Sequence, residues 1–291
     1  MLNEYKLKEQ MCEIGRRLYA KGFAAANDGN ITVRLNDKEI LCTPTMVSKG
    51  YMKPDDICKV DYTGKQLAGS RKRTSEVLLH LVVYKLNPAV NAVVHCHPPH
   101  ATAFAVAHEP IPKCVLPEVE VFLGEVPIAE YETPGNQKFA DTIAPFVKDC
   151  NTILLANHGT VTFGPDLQNA YFNTEIIDAY CRILILSRLL GRVNYFDEKQ
   201  TRELLALKKR LGYDDVRFRS DDCAVCGESS FDESYSSFVP EPYAFQPECA
   251  PATDPCAWSE GNGKLDGHDT EALVQAITER VMEALQGAGV G

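Results

Sequence analysis

The chain has no apolar run approaching the roughly 18 to 20 residues that a bilayer-crossing helix needs. Its first residues, MLNEYKLKEQMCEIGRR, carry charges where a signal peptide requires an apolar stretch. Neither membrane insertion nor secretion is expected, and the chain reads as cytoplasmic. Positive charge is also in deficit: 30 Lys and Arg stand against 40 Asp and Glu. A formal charge of −10 argues against general nucleic-acid binding and against docking on anionic lipid. No internal repeat is visible, which sets aside a repeat array. What is present is 291 residues with 45% hydrophobic content. That fills the core of one large domain or two modest ones and excludes disorder along the whole length.

Eleven cysteines are many for a cytoplasmic chain. Cys12, Cys42, Cys58, Cys96, Cys114, Cys150 and Cys181 lie singly among apolar residues, as small core hydrophobes do. The other four follow residue 220. Cys223 and Cys226 have the two-residue gap of a zinc knuckle, but six residues separate Cys249 from Cys256, outside the usual range. A structural zinc, a redox pair and passive thiols all stay open for them.

Charge divides the chain near residue 220. Residues 1–220 carry 28 basic and 26 acidic side chains, whereas 221–291 carry only Lys264 and Arg280 against 14 acids. Residues 221–268 are rich in Pro, Ser, Gly, Asp and Glu and lack the apolar area that would offset the entropy of ordering them. They read as a flexible acidic linker. From 269 to 291 the pattern changes: Asp269 can cap a helix, Glu271 suits its first turn, and Leu273, Val274, Ile277, Val281, Met282 and Leu285 recur at helical spacing. This amphipathic helix, about 17 residues and about 25 Å long, is marginal alone and needs a surface to cover its apolar face. Its own domain or another protein would serve; a membrane is disfavoured because the polar face is poor in Lys and Arg. A short amphipathic helix after a low-complexity linker resembles the encapsulation peptides that direct enzymes into bacterial microcompartments. The resemblance implies a shell protein or fellow cargo as partner of 269–291, and a location inside a bacterial microcompartment of the cytoplasm.

Within 1–220, residues 2–23 read as an amphipathic helix, with Leu7, Met11, Ile14 and Leu18 on one stripe. Residues 29–35 alternate as a strand, 39–42 as its hairpin partner, and 56–62 as a further strand. Residues 74–86 are helical and end at Asn87-Pro88; 92–97 form a strongly apolar strand. Residues 139–147 read as helix, 152–156 as a buried strand and 168–190 as a long helix. Helices and strands alternate irregularly, so the expected fold is α/β, a three-layer α/β/α domain around a mostly antiparallel or mixed sheet.

His95-Cys96-His97 is the strongest local signal. Alternate residues of a strand face one side, so the two imidazoles can share an ion, and Pro98 stops the strand at the rim of a sheet. His158 sits where a second apolar strand gives way to a turn, with Gly159 letting the backbone approach closely. Glu76, in the Thr74-Ser75-Glu76 turn that opens a helix, is the natural carboxylate to complete the set. Taken alone, a His-x-His pair is more often surface or core packing. His80, His100, His108 and His268 read as core, cleft-edge or solvent residues, although His80, one helical turn after Glu76, is placed to orient that carboxylate.

The series GNITVRL, LCTPT, TSEVLLH, AVVHCHPPHATAFA and LLANHGT, in this order, resembles the zinc-dependent class II sugar-phosphate aldolase and epimerase family, which includes the adducin head domains. The likeness spans roughly residues 5–215. It implies a divalent metal, zinc first, with manganese, iron or cobalt as alternatives, held by Glu76, His95, His97 and His158. It implies a sugar-phosphate substrate whose phosphate is held by Asn30, Thr45, Thr74 and Ser75, although GNIT and TPT are also ordinary turn chemistry. It implies a homotetramer with its sites at subunit borders. The implied reaction splits a ketose 1-phosphate into dihydroxyacetone phosphate and an aldehyde, with Glu76 alternating between metal ligand and acid/base.

Pentulose-phosphate 4-epimerases of this family commonly have Asp where this chain has Glu76, and adducin-like interaction modules tend to lose the metal set. The resemblance therefore points to an aldolase, most like those acting on L-fuculose phosphate, with rhamnulose-phosphate enzymes close behind. Two departures stand out. Met46 follows Thr-Pro-Thr where the fuculose-phosphate enzymes have Gly, and Val115-Leu116-Pro117-Glu118 offers no Tyr where the family draws its second acid/base from a neighbouring subunit. Glu118 is the favoured substitute, ahead of Tyr131 or Tyr213.

Overall fold

Asn3 opens the first helix by accepting the Tyr5 N–H at 3.0 Å, and α1 (Glu4–Ala20) then buries Leu7, Met11, Ile14 and Leu18, the stripe read from the sequence. The structure, a computed structural model, describes residues 3–218. The linker, the terminal helix, Cys223, Cys226, Cys249, Cys256 and His268 lie outside the described residues. Strands β1 (Asn30–Arg34), β2 (Ile40–Cys42), β3 (Cys58–Val60), β4 (Gln66–Ala68), β5 (Ala92–Cys96), β6 (Ile128–Ala129), β7 (Thr152–Leu155) and β8 (Gly159–Gly164) form one eight-stranded sheet among the described residues. Its order is β4-β3-β2-β1-β5-β8-β7-β6. Only β6 with β7 is parallel, so the sheet is mixed.

Helices cover both faces. On one side α2 (Val77–Leu86) and α4 (Gln137–Asp141) pack against Ile40, Val60, Val93, Ile153 and Val161. On the other, α1 and the first turns of α5 (Leu167–Leu189) pack against Ile31, Val33, Leu41 and Val94. Strand side chains alternate between faces, so Val93 and Val94 enter different cores. A third core joins α5 to α3 (Pro99–Ala107) and the π-helical turn Val119–Leu123, against which α6 (Glu198–Arg210) also packs.

Two boundaries and one cysteine differ from the sequence reading. Helix α2 starts at Val77 rather than residue 74, because Glu76 stands at φ −96°, ψ 19° and its N–H bonds the Thr74 hydroxyl. Helix α4 ends at Asp141 and continues to residue 149 as turns. Cys114, expected as a lone core hydrophobe, is disulfide-bonded, whereas Cys12, Cys42, Cys58, Cys96 and Cys181 are buried and free.

Candidate metal centre

Every residue of β5 is buried, and its end delivers two imidazoles to the sheet rim. His95 lies between Asn30 of β1 and Val161 of β8 in register. Its Nδ1 is 2.8 Å from the Thr160 carbonyl. A carbonyl only accepts, so Nδ1 carries the proton and the lone pair stands on Nε2. His97 follows the strand, its N–H donating to the Phe23 carbonyl at 2.8 Å and its Nδ1 lying 3.3 Å from Asp28 Oδ2. His158 occupies the turn between β7 and β8. The preceding Asn157 stands at φ 55° and accepts from His108 Nε2 at 2.6 Å, while the Phe139 ring packs on His158.

The three rings meet, with centroids 5.1, 4.8 and 5.0 Å apart. One nitrogen of each lies within 4.8 Å of the others. Glu76, just ahead of α2, brings Oε2 to 3.4 Å from His95 Nε2 and Oε1 to 3.6 Å from His158 Nε2. Gly159 makes the approach possible: a Cβ there would lie 2.5 Å from His97 Cδ2 and 2.7 Å from the Cys96 carbonyl oxygen. Burial, helped by His97 and His158, holds His95 well below the usual imidazole range. Burial also lowers His158, against the pull of Glu76. Both are neutral at pH 7, as ligation requires.

Three buried ring nitrogens, His95 Nε2, His97 Nε2 and His158 Nδ1, have no hydrogen-bond partner. Each such atom costs about 1–3 kcal/mol when left unsatisfied. Three imidazoles beside a carboxylate fit a divalent first-row cation, and a cation would satisfy His95 Nε2 and His97 Nε2, which nothing in the protein does.

The other sequence candidates flank this cluster. Asn30 is buried at the start of β1, and its Nδ2 donates to Glu76 Oε2 at 2.7 Å. Thr43 O accepts from Thr74 N, and Lys72 O from Thr45 N, which sets Thr45, Thr74 and Ser75 on adjoining segments. Thr74 is buried and Ser75 exposed. Met46 is 76% exposed at φ 56°, the left-handed conformation that glycine takes readily, so the backbone path expected of Gly is kept. Glu118 is exposed at the start of the π-helical turn and is not gathered with the three imidazoles; Tyr131 and Tyr213 are exposed as well. Asp28, the Thr160 carbonyl and Lys49 were not singled out by sequence. Lys49 is fully buried, its ammonium donating to the Asn27 and Val47 carbonyls at 2.9 and 2.7 Å. Burial pushes it down to about 8, with Asp28 and Glu76 pulling the other way.

Fold and cluster together define a metal-dependent lyase. Residues 9–185 match the Class II Aldolase and Adducin N-terminal domain, and the chain belongs to that family. It is 33% identical over 185 residues to the L-fuculose phosphate aldolase of Methanocaldococcus jannaschii, covering 64% of this chain and 99% of that one. It is also 33% identical over 187 residues to the 3-oxo-tetronate 4-phosphate decarboxylase of Escherichia coli K12, covering 63% of this chain and 88% of that one. Among solved structures, YgbL of Klebsiella pneumoniae superposes with a TM-score of 0.66 at 32% identity, covering 70% of this chain and 100% of that one. That protein is described as an aldolase, epimerase or decarboxylase, without a choice between them.

Proposed function

We propose that residues 1–220 form an aldolase that cleaves a ketose 1-phosphate, L-fuculose 1-phosphate or a close relative, to dihydroxyacetone phosphate and L-lactaldehyde. The observation that carries this reading is the convergence of the His95, His97 and His158 imidazoles beside the Glu76 carboxylate. His95, His97, His158 and Glu76 would hold the cation, with zinc as the expected metal. A bound divalent cation supplies Lewis acidity toward the carbonyl next to the bond that breaks. Glu76 is placed to carry the proton at the carbon beside that carbonyl. Asn30, Thr45, Thr74 and Ser75 offer donors to the phosphate, at a helix start where the dipole favours an anion. Glu118 of a neighbouring subunit in a homotetramer would take the C4 hydroxyl proton.

A second reading rests on the missing Tyr between residues 115 and 118. Breaking an aldol requires a group that accepts the C4 hydroxyl proton. Loss of carbon dioxide from a 3-oxo-tetronate 4-phosphate requires none and yields the same dihydroxyacetone phosphate, so two relatives equally similar to this chain differ only in what leaves. An epimerase of the same fold would interconvert pentulose phosphates without releasing triose phosphate, and an adducin-like module would turn over nothing.

The test is a panel of ketose 1-phosphates and 3-oxo-tetronate 4-phosphate offered to the purified full chain, with both products measured. Triose phosphate with aldehyde upholds the aldolase, and triose phosphate with carbon dioxide moves the assignment to the decarboxylase. Glu76→Gln should keep the fold and lose turnover. For 269–291 the proposed role is delivery to a microcompartment shell. Deleting that segment should preserve activity and abolish co-localisation with shell protein; collapse of the catalytic domain would contradict it.

A further inference from the structure

Behind Glu76 a chain of buried polar side chains runs into the core. Asn30 Nδ2 donates to Glu76 Oε2 at 2.7 Å, so Asn30 Oδ1 faces the other way and meets His80 Nε2 at 2.5 Å. His80 Nδ1 is 2.8 Å from Thr32 Oγ1, and Thr32 Oγ1 is 2.9 Å from the Tyr84 hydroxyl. Asn30, Thr32, His80 and Tyr84 are all buried, His80 completely.

The proton positions follow from one end. An ionised carboxylate only accepts, which fixes the Asn30 amide with its nitrogen toward Glu76. The Asn30 oxygen then needs a donor, so Nε2 of His80 carries the ring proton. Nδ1 must accept from Thr32, and Thr32 accepts from Tyr84. Every donor in the series points toward Glu76, and aligned bonds of this kind polarise one another in a low-dielectric interior. Burial holds the His80 ring far down, to about 3, so it stays neutral and keeps both roles.

We propose that His80 is a positioning residue that acts through Asn30, holding the Glu76 carboxylate in one orientation. The inference rests on the reading of Glu76 as acid/base and metal ligand. It gives Asn30 a task beyond any phosphate contact, and it explains how His80 reaches a carboxylate that it does not touch.

The test uses the full chain with ring-15N-labelled histidine, the His80 signals being assigned by their loss in His80→Gln. At pH 7.5 His80 should be the neutral Nε2–H tautomer; an Nδ1–H tautomer or an imidazolium overturns the proposal. This readout involves no turnover, so it stands or falls separately from the aldolase assignment. In kinetics, His80→Leu should lower kcat about 10- to 100-fold with KM within about threefold, while His80→Gln, whose amide nitrogen replaces Nε2, recovers most of the loss. Should Leu fail to fold, the Gln variant and the tautomer still decide. Wild-type kcat in both variants, or equal losses in both, contradicts the proposal.

Discussion

The Thr160 carbonyl takes the Nδ1 proton of His95, and by that single bond commits Nε2 to the cluster. Asp28 Oδ2 lies 3.3 Å from His97 Nδ1. The residues of the cluster were legible in the sequence, because each sits where an apolar strand or a helix begins or ends. Their orienting partners were not: Thr160 reaches His95 only through the pairing of β5 with β8, a register that no local pattern reveals. Met46 is a case where residue chemistry and backbone disagree. Its left-handed φ disfavours an L side chain, and because the side chain is exposed, replacing it costs little packing. Met46→Gly is therefore expected to leave stability unchanged or raise it by up to about 1 kcal/mol, whereas β-branched Met46→Val should lower it by about 1–2 kcal/mol. Urea unfolding of the two variants checks this.

At the scale of elements, the cluster exists because β5 and the β7–β8 turn end at the same rim. Gly159 is the hinge of that meeting. Gly159→Ala must displace both the His97 ring and the Cys96 carbonyl, at a cost of about 1–3 kcal/mol. Equilibrium dialysis should show weakened metal binding with near-native circular dichroism; unaltered affinity would show that the close contact does not shape the site. The sequence revealed β1, β2, β5 and β7 because their residues are apolar, β-branched or alternating. It left β8 without a reading, although Thr160, Val161, Thr162 and Phe163 are β-branched or aromatic and all six residues of the strand are buried. Nor did it reveal α3, which opens on two prolines, or the π-helical turn, which tertiary contacts dictate. Helix α6 is anchored by side chains far apart in sequence: Lys208 and Arg217 pair with Asp215, and Arg217 also reaches buried Glu120 on the π-helical turn.

For the molecule as a whole, buried ionisable groups predict acid lability. His80 refuses a proton until about pH 3, whereas the unfolded chain takes one up near 6.5. Stability is therefore lost as pH falls below 6.5, by about 1.4 kcal/mol per pH unit from this ring. Asp215 adds to the loss further down. Burial opposes its ionisation, but hydrogen bonds from Arg217 and Lys208 outweigh burial and hold it low. Its contribution is present above the ordinary carboxylate value of about 3.9 and disappears as pH falls toward the depressed one. Chelator-treated protein should show a lower urea midpoint at pH 5.5 than at 7.5; equal midpoints would contradict the neutral buried ring.

The most direct test of one cation serving one catalytic site per chain is a titration of metal-free protein with zinc, following turnover of the best substrate. Activity should rise linearly and level off at one equivalent per chain, and His158→Ala should abolish the rise. Full turnover in metal-free protein, or an undiminished rise in the variant, would contradict it.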